Sequence, residues 1–122
     1  KSAERSAGRA VDGDGGSRWT SVYADHQWLA VDLGEAYTLA RVEIRWEKAC
    51  AETYLLQGSL DGKKWATLKS ELGHEGWVRT SLPPDCKARW VRMYGQKRAT
   101  AFGFSIWEFR VFSLDDAPGA AA

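Results

Sequence analysis

The sequence predicts an all-β fold, an antiparallel sandwich, on three observations. Short runs of alternating apolar and polar residues fill the chain. Turn signals separate them at sandwich spacing. No stretch carries the period of a long amphipathic helix, and no internal repeat is present. The expected strands cover residues 28–33, 41–46, 54–60, 65–69, 77–82, 89–94 and 106–112. In the first, Leu29, Val31 and Leu33 share a face. In the second, Val42, Ile44 and Trp46 alternate with Arg41, Glu43 and Arg45. Leu60-Asp61-Gly62-Lys63 reads as a tight hairpin, because Asp-Gly supplies the positive φ such turns need. Pro83-Pro84-Asp85 reads as a second reversal. In the last strand Trp107, Phe109 and Val111 are expected on one face, with Glu108 and Arg110 on the other.

A chain of 122 residues is one domain and long enough to bury a core without staples. Residues 1–113 form the expected domain, and residues 114–122 read as a linker or frayed tail. The net charge is +1, with Lys and Arg scattered along the chain in no run or stripe. That argues against nucleic acid or an acidic membrane as partner. No apolar stretch reaches membrane-spanning length and no signal peptide is recognisable. The chain does not begin with Met, so it reads as a module of a longer precursor, and it is expected to be monomeric. Asn is absent, which removes any Asn-linked glycosylation site. Cys50 and Cys86 either pair or stay free. The strand order puts them at opposite ends, which disfavours a bridge.

Antiparallel order makes successive connections alternate between the two ends of a sandwich. The connections 23–27, 47–53, 70–76 and 95–105 then share one end. They are long and rich in aromatic and charged residues, as binding loops are. The connections 34–40, 61–64 and 83–88 share the other end and are mostly tight turns.

Two stretches suggest chemistry. Asp12-Gly13-Asp14-Gly15-Gly16-Ser17 is an acidic, Gly-rich turn of the kind that wraps a hard cation in oxygen ligands. Glu108, in the middle of an aromatic strand, needs either that cation or a nearby Arg, because an unpaired buried carboxylate is costly. Nothing resembles a nucleophile elbow. No enzymatic activity is expected, although a glycosidase-type carboxylate pair is not excluded by composition.

Five segments resemble, in order, the discoidin or coagulation-factor C-type domains. They are Ala10-Val11-Asp12-Gly13-Asp14 with Ser17-Arg18-Trp19-Thr20-Ser21; Gln27-Trp28-Leu29-Ala30-Val31-Asp32-Leu33-Gly34; Tyr54-Leu55-Leu56-Gln57-Gly58-Ser59-Leu60-Asp61-Gly62-Lys63-Lys64-Trp65; Ala88-Arg89-Trp90-Val91-Arg92-Met93; and 102–112. The last most resembles bacterial family 32 carbohydrate-binding modules. The resemblance implies an eight-stranded jelly roll of the galactose-binding-domain type. It also implies a structural calcium and recognition of a polysaccharide or oligosaccharide by loops at one end. By motif, the calcium ligands are the side chains of Asp12, Ser17 and Glu108 and the backbone oxygens of Arg9, Asp14 and Trp107. The sugar-face candidates are Glu4, Arg18, Tyr23, Glu47, Lys48, Phe102 and Phe104. Aromatic platforms take the C–H face of a sugar and charged groups take its hydroxyls. Trp19, Trp28, Trp46, Trp65, Trp90 and Trp107 match core positions, leaving Trp77 as the tryptophan available to a ligand.

Galactose-binding relatives use a His, Arg, Asn set. This chain has no Asn, and His26 alone could stand in for part of it. A carboxylate beside an aromatic suits the amine of glucosamine, so the expected ligand is β-glucan or chitosan. The expected setting is a secreted bacterial glycoside hydrolase or related enzyme, with the domain covalently linked to its catalytic part. The alternatives are galactose or N-acetylgalactosamine binding, and a phospholipid- or protein-binding adhesion domain. For the latter, Phe102 and Phe104 beside Lys97 and Arg98 are the only loop candidates.

Overall fold

The structure is a computed structural model that describes residues 2–4 and 19–114, with side chains from 21 onward. The described residues form eight strands and no helix: β1 (Ser2–Glu4), β2 (Trp19–Thr20), β3 (Gln27–Trp46), β4 (Ala51–Ser59), β5 (Ala66–Leu72), β6 (Gly76–Ser81), β7 (Lys87–Arg98) and β8 (Ser105–Ser113). One sheet runs β1-β3-β7-β4-β5 and the other β2-β8-β3-β6. All pairings are antiparallel except β1 with β3.

The long strand β3 belongs to both sheets. Its first part descends along β7, from Gln27 opposite Gly95 to Thr38 opposite Lys87. Its second part climbs along β8, from Leu39 opposite Ser113 to Trp46 opposite Ile106. Both ends of β3 therefore flank the β7–β8 connection. The expected break at 34–40 is instead a corner within one continuous strand. Pairing slips between Asp32 and Tyr37, and Gly34 takes φ +91°, a conformation glycine adopts without a Cβ clash. Tyr37 and Thr38 still pair with β7, so the ladder persists to the corner. Leu39 N–H donates to Cys86 O at 2.7 Å just beyond it. The expected assignment of loops to two ends survives, because the corner reverses the chain as a turn would.

Alternation fills the space between the sheets. Leu29, Val31 and Leu33 face Val42, Ile44 and Trp46 of the same strand, with Tyr54, Leu56, Val91, Met93, Phe109 and Val111 completing the core. Each such side chain contributes about 1.5–3 kcal/mol on burial.

The tryptophans depart from expectation. Of the six tryptophans with described side chains, Trp46 alone lies in the core. Trp28 and Trp90 adjoin the inward Leu29 and Val91, so a period of two turns them outward. Trp107 is displaced by a bulge. Arg45 pairs with Glu108 and Trp46 with Ile106, which leaves Trp107 without an opposite residue. Ile106, not Trp107, joins Phe109 and Val111 inside. The outward rings stack with guanidinium groups. Arg92 lies 4.2 Å from the Trp65 ring and 5.5 Å from the Trp28 ring, and Arg89 lies 5.5 Å from that of Trp90.

The Asp61 turn is wider than a two-residue hairpin. Asp61 Oδ1 accepts from Lys63 N–H at 2.8 Å and Lys64 N–H at 2.9 Å, and Ser59 Oγ accepts from Gly62 N–H at 2.8 Å. The Lys64 and Lys63 amides lower the Asp61 carboxyl to about 2. Cys50 and Cys86 are buried free thiols in connections at opposite ends, as expected. Burial raises both thiol pKa values.

Candidate functional site

Three of the four expected loops build a cleft, and hydrogen bonds lace all four together. Ser21 N–H donates to Phe104 O at 2.8 Å, and Phe104 N–H donates to Ser21 Oγ at 2.8 Å. Glu47 N–H donates to Ser105 O at 3.0 Å and Ser105 N–H to Ala49 O at 2.7 Å. Ala99 N–H donates to Cys50 O at 3.0 Å, and Gly73 N–H to Glu52 O at 3.1 Å. Asp25 Oδ1 accepts from Arg98 N–H at 3.0 Å and from Arg98 Nε at 2.9 Å, while Arg98 Nη1 donates to Ala101 O at 3.2 Å. The Arg98 amide and guanidinium hold the Asp25 carboxyl below its ordinary range.

The cleft has a volume of about 490 Å³ and is lined by Tyr23, Glu47, Lys48, Ala49, Thr100, Phe102, Gly103 and Ser105. Tyr23 and Phe102 are 65% and 58% exposed, and their rings meet edge to face at 5.6 Å and 84°. Exposed rings already packed against each other lose less freedom than isolated ones when a ligand stacks on them. Glu47 and Lys48 supply a carboxylate and an ammonium side by side. Glu47 Oε1 also accepts from Ala49 N–H at 3.3 Å, which orients the carboxylate. Gly103 is required by closeness, since a Cβ there would sit 2.5 Å from Val22 O and 2.6 Å from Ser21 Oγ.

The structure thus brings together Tyr23, Glu47, Lys48 and Phe102. Phe104 is a correction. It is 0% exposed, so it offers a ligand no platform. Its ring fills the space that Gly95 leaves open, where a Cβ would meet it at 2.5 Å, and it packs against Trp46 at 6.5 Å. The loop backbone, which has no strand period, turns Phe102 out and Phe104 in. Glu4 lies in β1, its backbone paired opposite Asp32, and its side chain lies outside the described residues. Arg18 lies outside the described residues. Trp77 belongs to the outer face of the second sheet, under Arg110 at 4.7 Å and Arg79 at 5.1 Å, and is absent from the cleft lining. His26, at φ +61°, turns to Tyr94, with ring centroids 5.9 Å apart. Sequence reasoning missed Ser21, Ala49, Thr100, Gly103 and Ser105. Only Gly103 carried a signal, as a glycine between two phenylalanines.

Of the expected calcium set, Arg9, Asp12, Asp14 and Ser17 lie outside the described residues. Trp107 and Glu108 lie within them. Glu108 is buried, with Arg110 beside Oε2 and Arg45 at 3.9 Å from Oε1. The expected alternative of an arginine partner is therefore present. Glu108 Oε2 accepts no hydrogen bond of good geometry despite that ion pair. No group of three His, Cys, Asp or Glu side chains comes together among the described residues.

Residues 1–109 match the F5/8 type C domain family. The chain belongs to that family. This F5/8 type C domain is 36% identical to chitosan-binding module 2 of a chitosanase/glucanase from Paenibacillus sp. IK-5, solved in complex with chitotriose. The TM-score is 0.78, covering 84% of this chain and 82% of that one. A CBM32 module from a family 31 glycoside hydrolase of Clostridium perfringens shares the fold, with 21% identity and a TM-score of 0.75 over 84% and 81% of the two chains. A curated relative, the polysaccharide lyase 8 family protein HylA of Enterococcus faecalis (strain ATCC 700802 / V583), is 28% identical over 120 residues. That match covers 92% of this chain and 9% of HylA.

Proposed function

We propose that the domain is a non-catalytic carbohydrate-binding module holding a chitosan or β-glucan chain in the loop-end cleft, as part of a secreted polysaccharide-acting enzyme. One observation carries the reading. The exposed Tyr23–Phe102 pair and the Glu47–Lys48 charges line a single open cleft. A sugar ring stacks on the aromatics while its hydroxyls or amine meet the charged groups. The relative at 36% identity that carries chitotriose supports the amine-bearing ligand. Among the described residues the cleft lining holds one carboxylate, Glu47, where glycoside hydrolysis uses two. His26 faces Tyr94 and Asn is absent, which weighs against galactosides.

Calorimetry with chitotriose, laminarin oligosaccharides and galactosides tests this. Binding to the first or second, lost in Phe102→Ala and weakened in Glu47→Gln, is expected. Binding to galactosides alone would refute the ligand. A lipid reading has one observation behind it: Val22 is 65% exposed beside Tyr23. Sedimentation with anionic vesicles, without binding to any glycan, would favour it.

A structural calcium belongs to the same proposal, held by Glu108 Oε2 and the turn 12–17. It would tie the N-terminal segment to β8. Adding calcium to chelator-treated protein then raises the melting temperature, by linkage of binding to folding. Glu108→Gln abolishes that rise.

A further inference from the structure

We propose that the outer face of the second sheet docks an anionic polysaccharide, a chain bearing carboxylates, at a surface separate from the cleft. Strand pairing sets three rows side by side: Trp77–Arg45–Glu108, Arg79–Glu43–Arg110 and Ser81–Arg41–Phe112. Among the described residues, four arginines thus share one face with two carboxylates. Arg41 Nε lies 2.9 Å and Arg79 Nε 3.6 Å from Glu43 Oε2; Arg110 lies against Glu108 Oε2, and Arg45 Nη1 is 3.9 Å from Oε1. The surplus of two positive charges exceeds the net charge of the whole chain, +1. Donors are available too. The Arg79 and Arg45 side chains are 60% and 44% exposed, and their ion contacts are long, 3.6 and 3.9 Å. Guanidinium groups pair with carboxylates through two parallel hydrogen bonds.

The chemistry of the face selects among polyanions. Its rings are already occupied: Arg79 and Arg110 cover Trp77, Arg45 lies over Trp107 at 6.0 Å and Arg41 over Phe112 at 4.0 Å. Bases of a single-stranded nucleic acid would find no ring to stack on. No exposed large apolar residue lies within β3, β6 or β8, so nothing there inserts into a lipid surface. The choice of a polysaccharide over an acidic protein rests on the carbohydrate-binding reading. None of the four arginines lines the cleft.

Affinity electrophoresis of the purified domain in gels containing polygalacturonate tests the proposal. Arg45→Gln/Arg79→Gln leaves Glu43 with Arg41 and Glu108 with Arg110, so no buried carboxylate is stranded. An unchanged melting curve checks this. The wild type is expected to be retarded at low salt and released at high salt, and the double variant to bind roughly tenfold or more weakly. Chitotriose binding by the same variant, measured by calorimetry, is expected to be unchanged. Retardation persisting in a domain that binds neither chitotriose nor laminarin oligosaccharides would sink the cleft reading and sustain this one. An unretarded wild type overturns the proposal, as does a double variant retarded like the wild type. Loss of retardation in Phe102→Ala overturns it by placing the chain in the cleft. Retention of single-stranded DNA or anionic vesicles in place of polygalacturonate overturns it as well.

Discussion

Phe102 and Phe104 are two positions apart, and the fold gives them opposite tasks. Phe102→Ala is expected to weaken oligosaccharide binding at least roughly tenfold without moving the melting temperature. Phe104→Ala instead opens a void over Gly95 and beside Trp46, and costs about 3–5 kcal/mol of stability in a denaturant titration. A variant with intact stability and lost binding at Phe104 would contradict its burial. Composition could not separate the two rings, because each lies in a loop with no period to count. Asp32 makes a further residue-scale prediction. It accepts from Arg89 Nε at 2.7 Å and Nη2 at 2.8 Å, and from Gly34 N–H at 2.9 Å. The Arg89 bond lowers its pKa below the ordinary 3.8, against the opposing effect of burial. A lowered folded pKa means stability present above 3.8 and lost as pH falls through the folded value. Acid melting curves of Asp32→Asn are expected to be shallower below that pH than those of the wild type, and lower at neutral pH.

At the scale of the element, strand existence was legible and strand geometry was not. Alternation revealed the inward faces of both halves of β3 and, apart from Trp107, of β8, because a half-buried strand must alternate. The corner of β3 was read as a loop, since Gly34 looks like any turn glycine until the pairing of Tyr37 and Thr38 is known. The bulge at Trp107 was invisible because it depends on the partner strand. The cleft's exposed members Tyr23, Glu47, Lys48 and Phe102 could be reached by counting connections. Ser21 could not, because its role exists only through Phe104. The Ser21–Phe104 clamp predicts that Ser21→Ala weakens glycan binding and leaves the Phe104 ring in the core, with the melting temperature lowered only slightly. Gly103→Ala forces the loop off Val22 O and is expected to reduce binding more than Ser21→Ala does.

For the molecule as a whole, charge is distributed by pairing and not by sequence. Arg41, Arg45, Arg79 and Arg110 come from three strands, and no window of the sequence shows them together. A chain described as having no basic stripe therefore folds into one that has. The family was legible because its motifs are contiguous. The arginine face was not, because its neighbours are joined only across hydrogen bonds.

The two-sheet membership of β3 also governs the order of events during synthesis. β3 leaves the ribosome early, yet it waits for β6 and β7, and for β8 at the end of the described chain. Until then it exposes the backbone edges and the apolar face of what will become the centre of both layers. Such distant pairing slows folding to the millisecond-to-second range. A fragment ending before β8 would lack the only strand that covers Leu39–Trp46 on its second edge, so truncation there should yield an aggregating chain and not a smaller domain.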